Sequence, residues 1–287
     1  MLAQRSAFYT EAELDSFWEA SFFTSYSASA FADRLTRGGP LARLPDRLTV
    51  EAGLSSDSRR PVVVEVEAAA NGDRAGRWGR AVALGVDLRP ASTVRVRLLP
   101  GYERRREVDQ FVASWDDPAA TTTFGRRYAF GHIRRSELNL TTRVDWTFRP
   151  TLSFQLFAQP FAAEGRYARF AALERPGAFA FTPLLAERAE GALRLAAPGS
   201  GVSAAVGEPD YAVRSLRGNA VVRWEYRPGS TLFLVWQQQR AFDRDPSLGP
   251  LGTGTARPWG LGREAGRAFT DRGTDVLLVK LSYWLGR

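Results

Sequence analysis

The sequence predicts an all-β protein built from long antiparallel hairpins, and residues 138–159 show this most directly. Apolar and polar residues alternate from Leu138 to Phe148 and again from Leu152 to Gln159. Alternation with a period of two puts apolar side chains on one face of a strand and polar side chains on the other. Pro150, between the two runs, lacks a backbone N–H and has a fixed φ, so it marks a turn.

A second observation is that this pattern recurs. Three copies of strand, Arg-Pro, hydroxyl residue and strand occur at Arg89-Pro90, Arg149-Pro150 and Arg227-Pro228. Their uneven spacing excludes a solenoid, whose repeats have a fixed period. The sequence therefore indicates repeated hairpins within a single domain that spans residues 1–287.

Composition excludes several classes of protein. The 287 residues are 44% hydrophobic, and no run approaches the roughly 18 apolar residues of a spanning helix. Cysteine is absent, which excludes disulfides, thiolate catalysis and zinc ribbons. The net charge of +8 raises nucleic acid as a partner. The cations alternate with apolar residues and mix with Asp and Glu, so a solvated face is favoured and no nucleic-acid partner is expected.

The remaining elements follow from alternation and from turn residues. Aromatic and small residues at Glu11–Phe31 predict one long strand, and alternation predicts further strands at residues 48–54, 62–68, 78–88, 93–99, 108–115, 122–131 and 276–285. Glycine and proline mark loops at Asp33–Asp46, Ala163–Gly218 and Phe242–Gly273, with at most a minor hairpin near Ala192–Ala205.

The lengths of the connections distinguish two rims. If the Arg-Pro turns share one rim, counting strands places Asp57–Pro61 and Asp116–Ala120 on it together with both termini. The three long loops then lie on the opposite rim, where Ala163–Gly218 and Phe242–Gly273 would be the long outer loops. An even count of about twelve strands with this asymmetry predicts an antiparallel up-and-down transmembrane β-barrel.

Two groups of residues favour a membrane barrel over a soluble one. A heavily charged polar face suits a wide, watered lumen, since these charges would be costly in a narrow interior. Aromatic residues near strand ends are typical of interfacial girdles. The predicted lumen charges are Glu65, Glu67, Arg95, Arg97, Arg143, Asp145, Arg223 and Glu225. The predicted interfacial aromatics are Trp78, Trp146, Phe148, Trp224, Tyr226, Tyr283 and Trp284. Two soluble β-sandwiches remain the alternative.

Several stretches resemble the C-terminal barrel part of a bacterial family known as domain of unknown function 5916. They are Leu35–Pro40, Phe124–Tyr128, Leu156–Phe161, Gly218–Thr231 and Val279–Trp284. The resemblance implies an outer-membrane barrel in a Gram-negative bacterium, whose fuller members carry an upstream family-9-like carbohydrate-binding domain. It implies no catalytic residues. Neither that domain nor a signal peptide is recognisable here, so we expect an N-terminally incomplete barrel.

Candidate sites for chemistry are few. His132 is the only histidine and cysteine is absent, so the sequence has too few ligands for a transition-metal site and too few bases for a histidine-based triad. The favoured interpretation of His132 is a histidine in a loop. Glu65 and Glu67 share a strand face and could serve glycoside hydrolysis, but a charge ladder with Arg95 and Arg97 explains them without catalysis. No cofactor or metal is expected.

Two arginine clusters could meet anionic groups. Arg104-Arg105-Arg106 and Arg126-Arg127 could bind lipopolysaccharide phosphates or anionic solutes, because guanidinium pairs well with phosphate. Charges that merely flank an apolar band are the favoured interpretation.

The sequence thus supports two functional hypotheses. The first is an outer-membrane pore or platform that contributes to carbohydrate or other solute uptake, in contact with outer-membrane lipid and assembled by the barrel-assembly machinery, which would recognise the alternating, aromatic-rich segment Val276–Leu285. The second is a soluble or periplasmic β-rich protein that binds or hydrolyses carbohydrate.

Overall fold

The fold is almost entirely β-strand in the computed structural model, which describes residues 4–189, 192–243, 262 and 265–285. The strands are β1 (Arg5–Glu13), β2 (Glu19–Ser27), β3 (Ala30–Ala32), β4 (Ala42–Leu44), β5 (Arg47–Ser55), β6 (Val62–Gly72), β7 (Trp78–Ala91), β8 (Val94–Asp116), β9 (Arg126–Arg149), β10 (Leu152–Leu173), β11 (Phe181–Pro183), β12 (Leu185–Ala189), β13 (Ala192–Ala196), β14 (Ser203–Gly207), β15 (Tyr211–Arg227), β16 (Ser230–Asp243) and β17 (Gly273–Ser282). None of the helices in the described part is long and apolar enough to cross a membrane.

One large antiparallel sheet dominates the molecule and confirms the predicted all-β, antiparallel architecture. Twelve strands form it, in the order β1-β2-β5-β6-β7-β8-β9-β10-β15-β16-β17, with the short β11 paired to β10. Each neighbouring pair is antiparallel. In the described part of the chain no ladder joins β1 to β17, and every residue of these two edge strands is exposed. The sheet is therefore open between β1 and β17.

The two ends of the sheet differ as the sequence predicts. We call the end that carries the three Arg-Pro turns the turn rim, and the opposite end the loop rim. Asp57–Pro61 also lies on the turn rim, as predicted, between β5 and β6. Its carboxylate Asp57 accepts hydrogen bonds from Arg59, which lower the pKa of Asp57 to about 2 and keep this turn ion-paired.

The loop rim carries the long connections. Between β2 and β5 the chain makes the β3–β4 hairpin, and between β10 and β15 it makes β11 and the separate three-stranded sheet β12-β13-β14. The predicted minor hairpin near Ala192–Ala205 is the β13–β14 pair. Ala163–Gly218 is less irregular than expected, because its first part continues β10 and its last part belongs to β15. Most of Phe242–Gly273 lies outside the described residues.

Several sequence-based predictions about strands and rims are wrong. Residues 93–99 and 108–115 are one strand, β8, of 23 residues, and residues 122–131 continue into 138–149 as the 24-residue β9. The charged run of Glu103 to Arg106 resembles a turn in sequence, yet it continues the strand with its charges on alternating faces. Consequently Asp116–Ala120 lies on the loop rim. β1 also begins at the loop rim, so the prediction that both termini lie on the turn rim is wrong for the N-terminal end. The stretch Glu11–Phe31 is not one strand, since a tight turn closed by Leu14 and Trp18 separates β1 from β2.

The buried core lies near the loop rim. Leu193 and Leu195 of the small sheet pack with Phe170, Ala129 and Ala172 of β9 and β10. A second cluster joins Tyr128, Phe130 and Leu173 to Ala42 of β4, and Phe130 meets Phe111 edge-on at 5.8 Å. The β3–β4 hairpin and the small sheet β12-β13-β14 thus cover the loop-rim ends of β9 and β10 and bury their apolar residues. Nearer the turn rim, apolar residues on the large sheet lack such a cover.

Candidate functional site

Register divides the large sheet into two chemically different faces. Between the turn rim and the bulges near the loop rim, odd-numbered residues pair with odd-numbered residues in every ladder from β1 to β16. In the β16–β17 ladder, even-numbered residues of β16 pair with odd-numbered residues of β17. Paired residues share a face, so from β1 to β16 the odd-numbered side chains form a polar face and the even-numbered ones an apolar face, and in β17 the odd-numbered side chains continue the apolar face. All eight predicted lumen charges lie on the polar face: Glu65, Glu67, Arg95, Arg97, Arg143, Asp145, Arg223 and Glu225.

The charges in the middle of the polar face pair across strands. Arg95 Nε donates to Asp87 Oδ1 at 3.0 Å, and Arg97 Nε lies 3.7 Å from Asp87 Oδ2. Arg95 is also directly opposite Asp145 in the β8–β9 ladder. Asp87 was not singled out from the sequence, although its position in the alternation before Arg89-Pro90 placed it on this face. The predicted ladder of Arg95 and Arg97 with Glu65 and Glu67 is wrong, because Asp87 takes both guanidinium groups.

Glu65 and Glu67 instead belong to an acidic part of the polar face. Neither forms an ion pair with a cation in the described part of the chain. In register, Glu67 aligns with Glu11 through Ser21 and Gly53, while Glu65 aligns with Glu19 through Ser55. The sequence pattern alone did not identify this grouping, since it depends on which strands are neighbours.

A concave site lies over these carboxylates. It has a volume of about 640 Å³ and is lined by carboxylates, by three aromatic residues and by small residues. The cavity exists because glycines lie where a larger side chain would contact the residues that line it. A Cβ on Gly85 would lie 3.1 Å from Glu65 Oε2, and one on Gly53 would lie 2.5 Å from Ser21 Oγ. The lining residues include Glu51, Glu65, Glu67, Tyr9, Phe23 and Asn139.

The chemistry available to this site is attraction of cations and hydrogen bonding to polar solutes. The described residues contain no group of three or more His, Asp or Glu side chains that could hold a metal ion. Glu65 and Glu67 are two residues apart on one strand face, about 7 Å along the strand. Glycoside hydrolysis by this pair stays a hypothesis, since nothing in their surroundings distinguishes an acid from a nucleophile.

The predicted interfacial aromatics lie at the two ends of the apolar face region. Trp146 stacks on Phe148 at 4.2 Å, and Trp224 meets Tyr226 edge-on at 6.0 Å, all near the turn rim. Tyr283 and Trp284 follow β17 at the same rim, where Tyr283 accepts a hydrogen bond from Arg227 at 2.6 Å. Trp78 alone of the seven lies at the loop-rim end, at the start of β7.

Between these aromatic residues the apolar face is open. Val62, Val82 and Leu277 are 52%, 46% and 72% exposed, and they belong to a band of exposed apolar residues, the apolar band, that continues across the sheet. Its other well-exposed members are Phe8, Phe22, Leu48, Leu54, Val66, Leu84, Leu234, Trp236, Val279 and Leu281. A contiguous apolar surface of this width is unusual for a protein surrounded by water.

The other sequence candidates are His132 and the two arginine clusters. His132 lies within β9, not in a loop, and its Nδ1 is 3.4 Å from Arg106 Nη2. Burial and then the charges of Arg106 and Arg169 lower the pKa of His132. Arg126 and Arg127 pair with Asp116 and Asp117, and Arg105 pairs with Glu103 on the polar face. Arg104 and Arg106 point to the apolar-face side.

Comparison with known proteins gives no identification. No family model matches the chain, and no curated protein matches it either.

Proposed function

We propose that this chain forms the wall of a β-barrel in a bacterial outer membrane and serves as a pore or platform for solutes, carbohydrates among them. The observation that supports the proposal best is the exposed apolar band on one face of a sheet whose other face is charged. In a membrane barrel, lipid covers the apolar face and water fills the charged side. A soluble barrel would have the opposite arrangement.

The height of the apolar band fits a bilayer. On β8 the band runs from Val94 to Tyr102, nine residues, and it continues across β9 from Leu138 to Trp146. A tilted membrane strand needs about 9–11 residues to cross the hydrocarbon core. Trp146 lies at the turn-rim end of the band, and Trp78 lies two rows beyond its loop-rim end, both at levels where amphipathic rings are stable at a membrane interface.

Strand direction limits how such a barrel can close. Because eleven strands follow one another in antiparallel order, β1 and β17 run in the same direction, from the loop rim to the turn rim. Direct pairing of β1 with β17 would therefore be parallel. An all-antiparallel barrel needs an odd number of further strands between these two edges, and bacterial single-chain barrels have even strand numbers.

The first experiment is fractionation combined with heat-modifiability. The chain, expressed with an export signal, should co-fractionate with outer membranes, and an unboiled sample should migrate faster than a boiled one in a detergent gel. Both results follow from a closed barrel that resists detergent. A protein that stays monodisperse in water without detergent would contradict the proposal.

One specific observation supports the alternative of a soluble carbohydrate-binding protein. The 640 Å³ concavity combines carboxylates with the rings of Tyr9 and Phe23, a combination that suits a sugar. If the chain is soluble, titration with oligosaccharides monitored by tryptophan and tyrosine fluorescence becomes the decisive measurement. Saturable quenching that Tyr9→Ala abolishes would favour this second function.

A further inference from the structure

An arginine patch borders the apolar band at its loop-rim end. Arg80 and Arg104 occupy the next positions on the same face after Val82 and Tyr102, and they are directly opposite each other. One row further, Arg106 pairs in register with Trp78 on one side and with Arg134 on the other. We call Arg80, Arg104, Arg106 and Arg134 the outer arginine patch.

The patch lacks carboxylate partners. In the described part of the chain none of its four guanidinium groups is in an ion pair with Asp or Glu. Glu164, the one carboxylate in these two rows, pairs with Arg166 at 3.4 Å. Like charges directly opposite each other destabilise a sheet, and the patch contains two such pairs. An anion supplied from outside would remove this repulsion.

Position and geometry restrict what that anion is. Arg80 and Arg134 are exposed, while Arg104 and Arg106 are half-buried. The guanidinium carbons of Arg80 and Arg104 lie 5.8 Å and 5.9 Å from the centre of the Trp78 ring, which holds them over an aromatic surface. Two rows about 7 Å apart, each with two opposed guanidinium groups, suit bidentate binding of phosphate oxygens. The band directly below suits acyl chains.

We propose that the outer arginine patch binds the phosphate headgroup of an anionic lipid whose acyl chains lie on the apolar band. This inference rests on the proposed membrane location. It also orients the barrel, since the loop rim then faces the leaflet that contains the phosphorylated lipid. Arg105, between two patch residues in sequence, takes no part because it points to the polar face and pairs with Glu103.

The test uses the full chain in neutral detergent micelles, with cardiolipin as the anionic probe and phosphatidylcholine as the neutral one. Native mass spectrometry should show preferential binding of cardiolipin. Replacement of all four patch residues, Arg80→Gln, Arg104→Gln, Arg106→Gln and Arg134→Gln, should weaken cardiolipin binding at least about tenfold, because each cation near an anionic lipid contributes to affinity. The Arg→Lys quadruple variant should keep part of the affinity, since it keeps the charge but not the planar fork.

A charge-matched control separates local binding from net charge. Arg47→Gln, Arg97→Gln, Arg143→Gln and Arg217→Gln remove the same charge from the polar face and should leave cardiolipin binding unchanged. Equal loss in both quadruple variants would overturn the proposal, as would displacement of cardiolipin by inorganic phosphate at equal concentration, which would mark a site for free phosphate.

Heat-modifiability of the same samples distinguishes the two proposals. A heat-modifiable chain without a cardiolipin preference would overturn the patch and leave the barrel proposal standing. A chain without heat-modifiability that still binds cardiolipin through the patch would overturn the barrel and leave lipid binding standing.

Discussion

At the scale of single residues, charge pairing decides which parts of the polar face can act on ions. Asp87 neutralises much of the positive charge of Arg95 and Arg97, whereas Glu65 and Glu67 have no cationic partner in the described structure. A pore with this lining would present its free negative charge on the β1–β6 side. The ring charges that a pore presents determine its ion selectivity.

Substitutions of the two charge groups should therefore change ion selectivity in opposite directions. Arg95→Glu with Arg97→Glu should shift the reversal potential of reconstituted channels toward cation selectivity, because both substitutions add negative charge beside Asp87. Glu65→Gln with Glu67→Gln should shift it toward anions. Planar-bilayer recordings under a salt gradient measure both. Unchanged potentials in both variants would mean that the polar face does not line the conducting path.

At the scale of a strand, neighbouring residues of β6 should differ in their tolerance to charge. Val66 is 40% exposed in the middle of the apolar band, and Glu67 follows it on the polar face. Val66→Arg should lower the free energy of unfolding by about 2–4 kcal/mol, the cost of a cation at the lipid-facing midplane of a barrel.

Glu67→Arg is the matched control, with the same new side chain one residue away. It should leave the unfolding free energy nearly unchanged, because a watered lumen solvates the cation. Urea titration of the refolded protein in detergent or lipid gives both values. Equal destabilisation by the two substitutions would contradict the assignment of faces.

At the scale of the whole molecule, the edges β1 and β17 decide the architecture. A parallel seam between them would be an exception among bacterial barrels, and parallel pairing is slightly less stable per residue than antiparallel pairing. We therefore expect that the two edges do not pair directly with each other.

The absence of cysteine makes this expectation simple to test. Phe8→Cys in β1 can be combined in turn with Leu277→Cys, Val279→Cys and Leu281→Cys in β17, all on the apolar face. Oxidation of the refolded chain should give no intramolecular disulfide in any of the three pairs. A disulfide in one pair, detected as a mobility shift without reductant, would demonstrate a parallel seam. A Val235→Cys and Leu278→Cys pair, directly opposite in the β16–β17 ladder, serves as the positive control.

The two faces of the sheet and the position of the Arg-Pro turns were predictable from the amino-acid sequence. Both depend on local chemistry: the period-two pattern assigns the side chains of a strand to alternate faces, and a proline, which lacks an N–H, is favoured near a strand end. The eight predicted lumen charges accordingly lie on one face.

Tertiary structure alone decided how long the strands are, in which direction each one runs and which charges meet. The charged run of Glu103 to Arg106 continues a strand only because β7 and β9 supply hydrogen-bond partners on both sides. The β7–β8 register places Asp87 directly opposite Arg97, with Arg95 at the neighbouring position on the same face, and it places Arg80 opposite Arg104. Register is a relation between two strands, so the alternation within one strand does not by itself determine which residues meet across the ladder.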